Sequence, residues 1–413
     1  MSGKGPIFHG WVIVAACFAI MFCAGEVLWS FGVFFTSLEQ EFQWSRSMVS
    51  GGFTLLILGH AVATTVDGRL ADRNATRPVL LVSAVLAGTA IALCSQIQNS
   101  THFYVLFFVA GLGTGATTSV PISTVQRWFE NRPHSGTALA IVMTGVGVGS
   151  VLSAPLFRYL IASQGWRSTF VFAGASFLVI LASAGMLIRP HTPGASRQSD
   201  RAPEQTQPAR ALPVRKLVFT RQFLILFFVS VVSGLALQVL TVHLVPFATD
   251  SGVPPEIAAI ALGLLGGASV PGRLLAGFIA ERIGWSKSLV GAMVGCAAAT
   301  ACLMVINQGW ALVGAVALFG ICFGTRAVAV LGLLGRVFGT ASLGELIGLN
   351  IALGQLLSAP GPYIVGYWFD LVNSYTATFA VLSVALALGA FSILRLGSSG
   401  PLNGASEQES SPE

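Results

Sequence analysis

Three charged side chains interrupt long apolar stretches of this sequence: Glu26, Arg273 and Arg326. A charge at the centre of a bilayer costs about 3 kcal/mol, and such residues usually face a helix-bundle interior or a wet cavity. Arg273 precedes Arg282 by nine positions and Arg326 precedes Arg336 by ten. At the helical rise, both guanidiniums are predicted to lie roughly 13–15 Å inside the membrane edge. A guanidinium binds a carboxylate through two parallel charged hydrogen bonds, so the pattern indicates an organic-anion site.

Glu26 has two open interpretations. It is the obvious partner for an internal ion pair with Arg273, which would leave no charge for a ligand. Alternatively, it takes part in proton coupling: substrate binds Arg273, Arg273 releases Glu26, and the carboxyl takes up a proton. His60 is the other proton-coupling candidate, although a lone histidine in a span more often packs than titrates.

The composition predicts that these residues lie on membrane-spanning helices. Hydrophobic residues make up 54% and charged residues 9% of the 413 residues, against about 25% charge in a soluble protein. A span needs roughly 20 largely apolar residues. The apolar runs predict twelve spans, at 10–36, 46–67, 77–97, 102–126, 136–162, 167–188, 220–248, 257–280, 287–306, 309–335, 344–369 and 375–395.

The two halves of the sequence repeat each other at an offset of 209 positions. ATTVDGRLADR at 63–73 corresponds to GRLLAGFIAER at 272–282, and Gly111, Gly115 and Arg127 correspond to Gly320, Gly324 and Arg336. The repeat predicts an all-α membrane protein with two six-helix bundles related by a pseudo-twofold axis. A substrate site at such an interface can be exposed to each side in turn. Because Arg273 and Arg326 correspond to Thr64 and Thr117, the positive charge is confined to the second half.

The shared loop pattern is a candidate gate. Glycine permits a tight turn or close helix approach, and the acidic and basic residues can pair with charges on neighbouring spans or cap helix ends. An alternative is that these are turn and topology residues only. The gating candidates are Gly68, Asp72, Arg73, Gly277, Glu281 and Arg282.

Charge placement predicts the topology and the domain boundaries. With both termini cytoplasmic, 17 of the 22 Lys and Arg residues fall on the cytoplasmic side, as expected for an inner or plasma membrane protein. Residues 1–189 and 217–396 are the predicted bundles, 190–216 a flexible polar linker, and 397–413 a disordered tail. Because the basic residues are scattered over short loops, nucleic-acid binding is disfavoured.

The sequence offers no enzyme or cofactor signature. Neither GxSxG, HExxH nor a phosphate loop is present, and the six cysteines have no metal-ligand spacing. We therefore predict no catalytic residues, metal or cofactor, and a gradient rather than ATP as the energy source.

Four phrases resemble a known family. DGRLADRNATRP resembles the loop signature of the major facilitator superfamily, and FHGWVIVAACF, RWFENRPHSGTALAIVMTGVGVG and GYWFDLVNSYTATF resemble its monocarboxylate and oxalate/formate branch. The resemblance implies twelve helices around a central cavity, a monomer, and small organic anions as substrates, often moved with a proton. It also implies that the span-eight arginine, Arg273 in RLLAGFIAERIG, binds the substrate carboxylate.

The sequence departs from that family at three positions. Gln355 stands where the oxalate-type branch has a lysine, while Ser269 and Trp29 stand where the animal monocarboxylate branch has an aspartate and a lysine. The family's proton-relay set is therefore incomplete here. Besides the two arginines, the predicted substrate-binding residues are Leu28, Trp29, Thr117, Gln238, Gln355 and Ser358.

The favoured function is a secondary transporter of a small organic anion, most simply a monocarboxylate such as lactate or pyruvate, by alternating access. Export of a larger amphipathic compound is the alternative if both arginines are consumed in internal pairs. A dicarboxylate or formate-type exchanger, and a membrane sensor with a carrier fold, remain open.

Overall fold

The computed structural model describes residues 9–71, 75–129, 134–188, 217–305, 308–338 and 343–395. The predicted linker at 190–216 and tail at 397–413 lie outside these residues. The described chain contains fifteen α-helices, together with one 3-10 turn at Cys94–Gln96. The helices of the first half are α1 His9–Leu28, α2 Phe31–Phe42, α3 Arg46–Leu70, α4 Thr76–Leu93, α5 Ser100–Thr114, α6 Ala116–Trp128 and α7 Ser135–Leu187. Those of the second are α8 Arg221–Asp250, α9 Pro255–Gly267, α10 Ser269–Ile283, α11 Trp285–Cys302, α12 Gly309–Phe338, α13 Leu343–Ser358, α14 Gly361–Val372 and α15 Thr376–Leu394.

These helices form the predicted spans. Nine segments of the described chain are long and apolar enough to cross a membrane. One of them, 136–187, contains Gly165 at φ +83°, a left-handed conformation that glycine adopts freely, and is two spans joined at a sharp turn. The 18-residue α11 and the α13–α14 pair supply the other two. The twelve-helix prediction is confirmed, with helix ends within a few residues of the predicted ones.

Four spans are broken near their middles. α1 stops before Ser30, α5 and α6 meet at Gly115, α9 and α10 meet at Ala268, and α13 ends before Pro360. The backbone at Gly115, Ala268 and Pro360 keeps right-handed helical angles, so these three breaks are kinks within continuing spans. At the first break Ser30 departs from helical angles, with φ −117° and ψ 1°.

The internal repeat is visible in the helix boundaries. The first residues of α3, α4 and α5 are Arg46, Thr76 and Ser100, and an offset of 209 leads to the first residues of α9, α11 and α12. Within the first half, α1 packs on α7, α3 on α5, and α4 on α7. Within the second half, α12 packs on α10 and α11, and α8 on α13 and α15. The same helical unit is therefore built twice.

The two bundles touch mainly at one end. We call the end where α1 begins and α15 finishes the terminal end, and the opposite end the far end. The main inter-bundle contacts join α2 with α8, α3 with α14, and α7 with α9. Because α2, α9 and α14 are the far-end halves of their broken spans, the far end is closed. At the terminal end the described helices of the two bundles make few contacts, and a Cβ added to Gly277 or Gly348 would meet no described atom within 4 Å.

Close helix contact inside the first bundle depends on glycine. A Cβ at Gly25 of α1 would overlap the backbone carbonyl of Val146 on α7, and one at Gly149 would overlap Phe22. Backbone atoms cannot move aside as a side chain can. Small residues let membrane helices approach this closely.

We expect Gly25→Ala to destabilise the protein by about 1–3 kcal/mol, the usual effect of overpacking. The measurement is the melting temperature of the purified protein in detergent. Gly291→Ala on α11 is the matched control, because a Cβ there meets nothing within 4 Å. Equal melting temperatures for the two variants would contradict the packing argument.

Candidate functional site

Arg273 lies on the inner face of α10, one turn after the break at Ala268. The Thr325 hydroxyl of α12 donates to the carbonyl of Gly272 at 3.1 Å, and Val270 lies against Gly147 of α7. Leu274 points outwards and is 60% exposed. Since Arg273 is one helical turn from both Ser269, which is buried, and Val270, it projects between α12 and α7. That is the space between the two bundles.

The Arg273 guanidinium is unpaired. It makes no hydrogen bond or ion pair with any residue in the described ranges, and its side chain is half-buried. A Cβ added to Gly277, one turn further along the same face, would meet no atom of the described residues within 4 Å. The charge is therefore held inside the bundle by packing of its backbone, while its donors are available to a ligand.

Arg326 lies at a similar depth on α12 and is bound by a backbone group. Its Nη2 donates to the carbonyl oxygen of Ser230 on α8 at 3.0 Å, and its guanidinium carbon lies 5.3 Å from the ring centre of Phe323. No carboxylate among the described residues pairs with it. The condition that favoured an amphipathic-compound exporter, both arginines consumed in ion pairs, is not met.

Glu26 does not pair with either arginine, so the interpretation of Glu26 as an ion-pair partner of Arg273 is wrong. Its Oε1 accepts a hydrogen bond from the Ser176 hydroxyl at 2.6 Å, and its Oε2 has no protein partner. The carboxyl is 3% exposed. It lines a cavity of about 40 Å³ inside the first bundle, with Ser30, Cys94 and several phenylalanines. Direct release of Glu26 by Arg273 does not occur in this conformation, because Glu26 is bound by Ser176 and the described lining of its cavity does not include Arg273.

His60 is also inside the first bundle. It is 1% exposed, and its Nδ1 lies 3.1 Å from the Thr114 hydroxyl oxygen. This is the environment of a packed, hydrogen-bonded histidine.

Trp29 and Gln238 come from corresponding spans and both lie near the centre of the molecule. Trp29, beside the α1–α2 break, approaches Phe323 of α12 with ring centres 6.4 Å apart and also lies against Gly266. Gln238 donates from Nε2 to the Ser358 hydroxyl at 2.6 Å, while its Oε1 is buried without a protein partner. These contacts place Trp29 at the junction of the bundles.

The other predicted lining residues divide into two groups. Leu28 and Gln355 are half-buried, and no described residue binds the Gln355 amide. Thr117 has no exposed surface, and its hydroxyl donates to the Thr114 carbonyl at 2.7 Å within the helix-break region. Thr117 therefore does not line open space here, which corrects the prediction made for it.

The gating pattern is only partly described, since Asp72 and Arg73 lie outside the described residues. Gly68 packs loosely against Ser119. Glu281 and Arg282 are exposed and form no ion pair with described residues, and Arg282 instead lies 4.1 Å over the Phe278 ring. The expected pairing of Glu281 and Arg282 with neighbouring spans is therefore not made while the terminal end is open.

Sequence reasoning missed a cluster that joins the bundles at the far end. We call Arg46, Glu39, Asp250, Asp370 and Tyr375 the far-end latch. Arg46 bonds Asp250 at 2.6 Å, Glu39 at 3.0 Å and the Tyr375 hydroxyl at 2.9 Å. The Asp370 carboxylate accepts hydrogen bonds from the first backbone amides of α3, at 2.9 and 3.0 Å, where the helix dipole favours an anion.

His243 extends this cluster across the bundle interface. Its Nδ1 lies 3.0 Å from the Tyr375 hydroxyl and its Nε2 2.9 Å from the Pro362 carbonyl. The Ser50 hydroxyl of the first bundle lies 3.4 Å from Nε2. One sequence signal was available: Asp370 and Tyr375 both occur in GYWFDLVNSYTATF.

Comparison with known proteins agrees with this architecture. The family model of the Major Facilitator Superfamily matches residues 17–362. The chain belongs to the major facilitator superfamily.

Relatives in this superfamily include transporters with narrower names. Human monocarboxylate transporter 11 is 27% identical over 394 residues, covering 92% of this chain and 82% of its own length. Rat monocarboxylate transporter 12 is 24% identical over 417 residues, covering 94% and 85%. Rat monocarboxylate transporter 13 is 26% identical over 394 residues, covering 94% and 89%.

Solved structures with the same fold are more distant in sequence. The nucleoside transporter NupG has a TM-score of 0.73 at 12% identity, covering 95% of this chain and 99% of its own. A bacterial homologue of the human lysosomal transporter Spinster, in an inward-facing and unoccupied conformation, has a TM-score of 0.72 at 15% identity, covering 95% and 94%. At these identities the likeness concerns the fold alone.

Proposed function

We propose that this protein is a secondary active transporter of a small organic anion, with a monocarboxylate as the favoured substrate. The observation that carries the proposal is the Arg273 guanidinium, which projects between the bundles without a partner among the described residues. A carboxylate would supply that partner through a bidentate charged hydrogen bond. The names of the monocarboxylate transporter relatives support this substrate class.

The proposed mechanism is alternating access. The far-end latch joins the bundles on one side, and we take the terminal end to be the open side because the main contacts between the described parts of the bundles lie at the far end. Rocking of residues 1–189 against 217–396, with 190–216 as the linker and 397–413 as the tail, would expose Arg273 to the far side. Pairing of Asp72, Arg73, Glu281 and Arg282 at the terminal end is proposed for that second state.

The proposed setting follows from the charge distribution. We place the protein in the plasma or inner membrane as a monomer, with both termini and the open end in the cytoplasm. A small organic anion, the lipid bilayer and a proton are the proposed partners.

The test is substrate flux in proteoliposomes. We expect a gradient of lactate or pyruvate to drive uptake of the same labelled anion, without ATP. Binding to the purified protein without flux would indicate a sensor and overturn the transport proposal. Arg273→Gln is the variant that links any flux to this site.

Proton coupling is proposed to use Glu26. An ionised carboxylate in an apolar cavity is costly unless it is neutralised, and the described cavity lining contains no cation. The other titratable group of that lining is the Cys94 thiol. A proton is the simplest neutralising partner for a cavity of this size.

We expect Glu26→Gln to remove the dependence of uptake on the pH gradient while anion exchange at equal pH continues. Glu41→Gln is the control, because Glu41 lies on α2 in an exposed ion pair with Arg167. The measurement is initial uptake at several internal and external pH values. An unchanged pH profile in Glu26→Gln would remove this role from Glu26.

A further inference from the structure

The second bundle contains two unsatisfied donors around a single residue. Arg326 donates from Nη2 to the backbone carbonyl of Ser230, and the Ser230 hydroxyl donates to the Asn350 amide oxygen at 2.8 Å. This leaves the Arg326 Nε and the Asn350 Nδ2 buried without a protein acceptor. Asn350 is 3% exposed. Both free donors belong to side chains that are already fixed on Ser230, one through its carbonyl and the other through its hydroxyl.

A purely structural role for Arg326 and Asn350 does not explain why their donors are left unsatisfied. A buried donor without an acceptor costs about 1–3 kcal/mol and more when it is charged. One backbone carbonyl satisfies one of the five N–H bonds of a guanidinium, and no described carboxylate balances the charge of Arg326. Donors that are buried, fixed and unsatisfied are expected where a ligand brings the acceptors.

Arg326 is attached to the part of α12 that packs against Arg273. Phe323, over which the Arg326 guanidinium lies, is also the residue that approaches Trp29 at the bundle junction. Gly324, the residue after Phe323, packs against the backbone of Arg273. Arg326 thus projects from α12 towards α8, two residues after the position at which α12 packs against Arg273. The two arginines therefore stand at the same level on adjoining helices.

We propose that Arg326 and Asn350, held by Ser230, form a second subsite that binds an acceptor oxygen of the substrate beyond the carboxylate at Arg273. The subsite deepens the proposed function and rests on it. The substrate class is then a carboxylate that carries a further oxygen group, such as an oxo group or a second carboxylate. A plain aliphatic acid of the same shape would leave both donors unsatisfied and bind more weakly.

A similar polar pair on the same two helices defines the boundary of this subsite. Gln238 and Ser358 stand eight positions beyond Ser230 and Asn350 on α8 and α13. There the free group is the Gln238 Oε1, which is an acceptor. The interface between α8 and α13 therefore has free donors near Arg326 and a free acceptor, the Gln238 Oε1, about 12 Å further along the helix axis. An anionic oxygen is matched to the Arg326 end only.

The experiment compares pairs of ligands of similar shape, in which one member has oxygen atoms where the other has methyl groups. Dissociation constants of pyruvate and isobutyrate, and of succinate and 4-methylpentanoate, are measured by titration calorimetry on the full-length protein in detergent. We expect the wild-type protein to bind at least one oxygen-bearing member about tenfold or more tightly than its partner. Arg326→Gln and Asn350→Leu are each expected to reduce that preference to within about threefold. Their affinity for the aliphatic acids should change little.

Three control variants distinguish loss of the subsite from a folding defect, from a general effect of removing an arginine, and from failure of the proposed function. Arg326→Lys keeps the charge but lacks the Nε donor, and is expected to lose most of the preference if Arg326→Gln does not fold. Arg336→Gln, an exposed arginine on the same helix, should behave as wild type. Preference that survives in Arg326→Lys and Asn350→Leu, or is absent from the wild-type protein, overturns the subsite. If Arg273→Gln leaves all four affinities unchanged, the proposed function itself fails, whatever Arg326 does.

Discussion

Replacing Arg273 with glutamine is expected to weaken carboxylate binding by about 30- to 1,000-fold, the equivalent of about 2–4 kcal/mol for a buried charged pair. The same change should not lower the melting temperature of the unliganded protein. Arg273 makes no hydrogen bond to the described residues, and a half-buried charge without a partner opposes folding in the membrane interior. Loss of function with retained or increased stability is the mark of a residue kept for its ligand.

The measurements are a dissociation constant for a monocarboxylate and a melting temperature in detergent. Arg273→Lys should fall between wild type and Arg273→Gln, because it keeps the charge and loses the planar fork. Arg282→Gln is the control on the same helix, since that side chain is exposed and lies over Phe278. Unchanged affinity combined with a lower melting temperature in Arg273→Gln would make Arg273 a structural residue.

Arg46→Gln is expected to open the far end. Arg46 is 8% exposed as a side chain, and its loss removes the bonds to Asp250, Glu39 and Tyr375 and the stacking 3.9 Å over the Phe369 ring. Arg46 is buried, whereas the Asp250 and Glu39 side chains are 44% and 27% exposed, so its loss costs about 1–3 kcal/mol, less than for a fully buried ion pair. Because the bond to Asp250 joins the bundles only when the far end is closed, the cost falls mainly on that conformation. The equilibrium should shift by roughly 5- to 150-fold towards the far-end-open state.

Electron–electron distance measurement tests this shift. Spin labels at Gln43 and Asn373, exposed positions of the two bundles at the far end, report their separation in a protein freed of reactive cysteines. We expect a longer distance to become the main population in Arg46→Gln. Arg167→Gln is the matched control, because the exposed Arg167–Glu41 pair lies within the first bundle. An unchanged distribution in Arg46→Gln would show that apolar packing, such as Gly32 against Thr241, closes the far end alone.

The first prediction concerns the substrate site, and the second concerns the contacts that close the far end. Arg273 is held where the bundles are open, and the far-end latch holds them closed on the other side. A variant of the latch changes which side has access to Arg273 without touching Arg273. We therefore expect Arg46→Gln to alter the rate of transport, with a smaller effect on the intrinsic affinity for the carboxylate.

The sequence predicted the spans, their number and the internal repeat, because each depends on local information. Apolar length decides whether a segment crosses a bilayer. The offset of 209 positions is found by aligning one half of the sequence with the other. The first residues of α3 and α9 confirm that offset without any insertion. The depth of Arg273 in its span followed from helical rise alone.

Which charges are paired was decided only by the tertiary structure. The sequence allowed an ion pair between Glu26 and Arg273, yet Glu26 lies against Ser176 and Arg273 has no partner among the described residues. Pairing depends on the rotation of each helix about its axis and on which bundle it joins, and hydropathy specifies neither. For the same reason hydropathy does not reveal the partners of Asp250 and Asp370. Contacts between residues more than 200 positions apart made them the partners of Arg46.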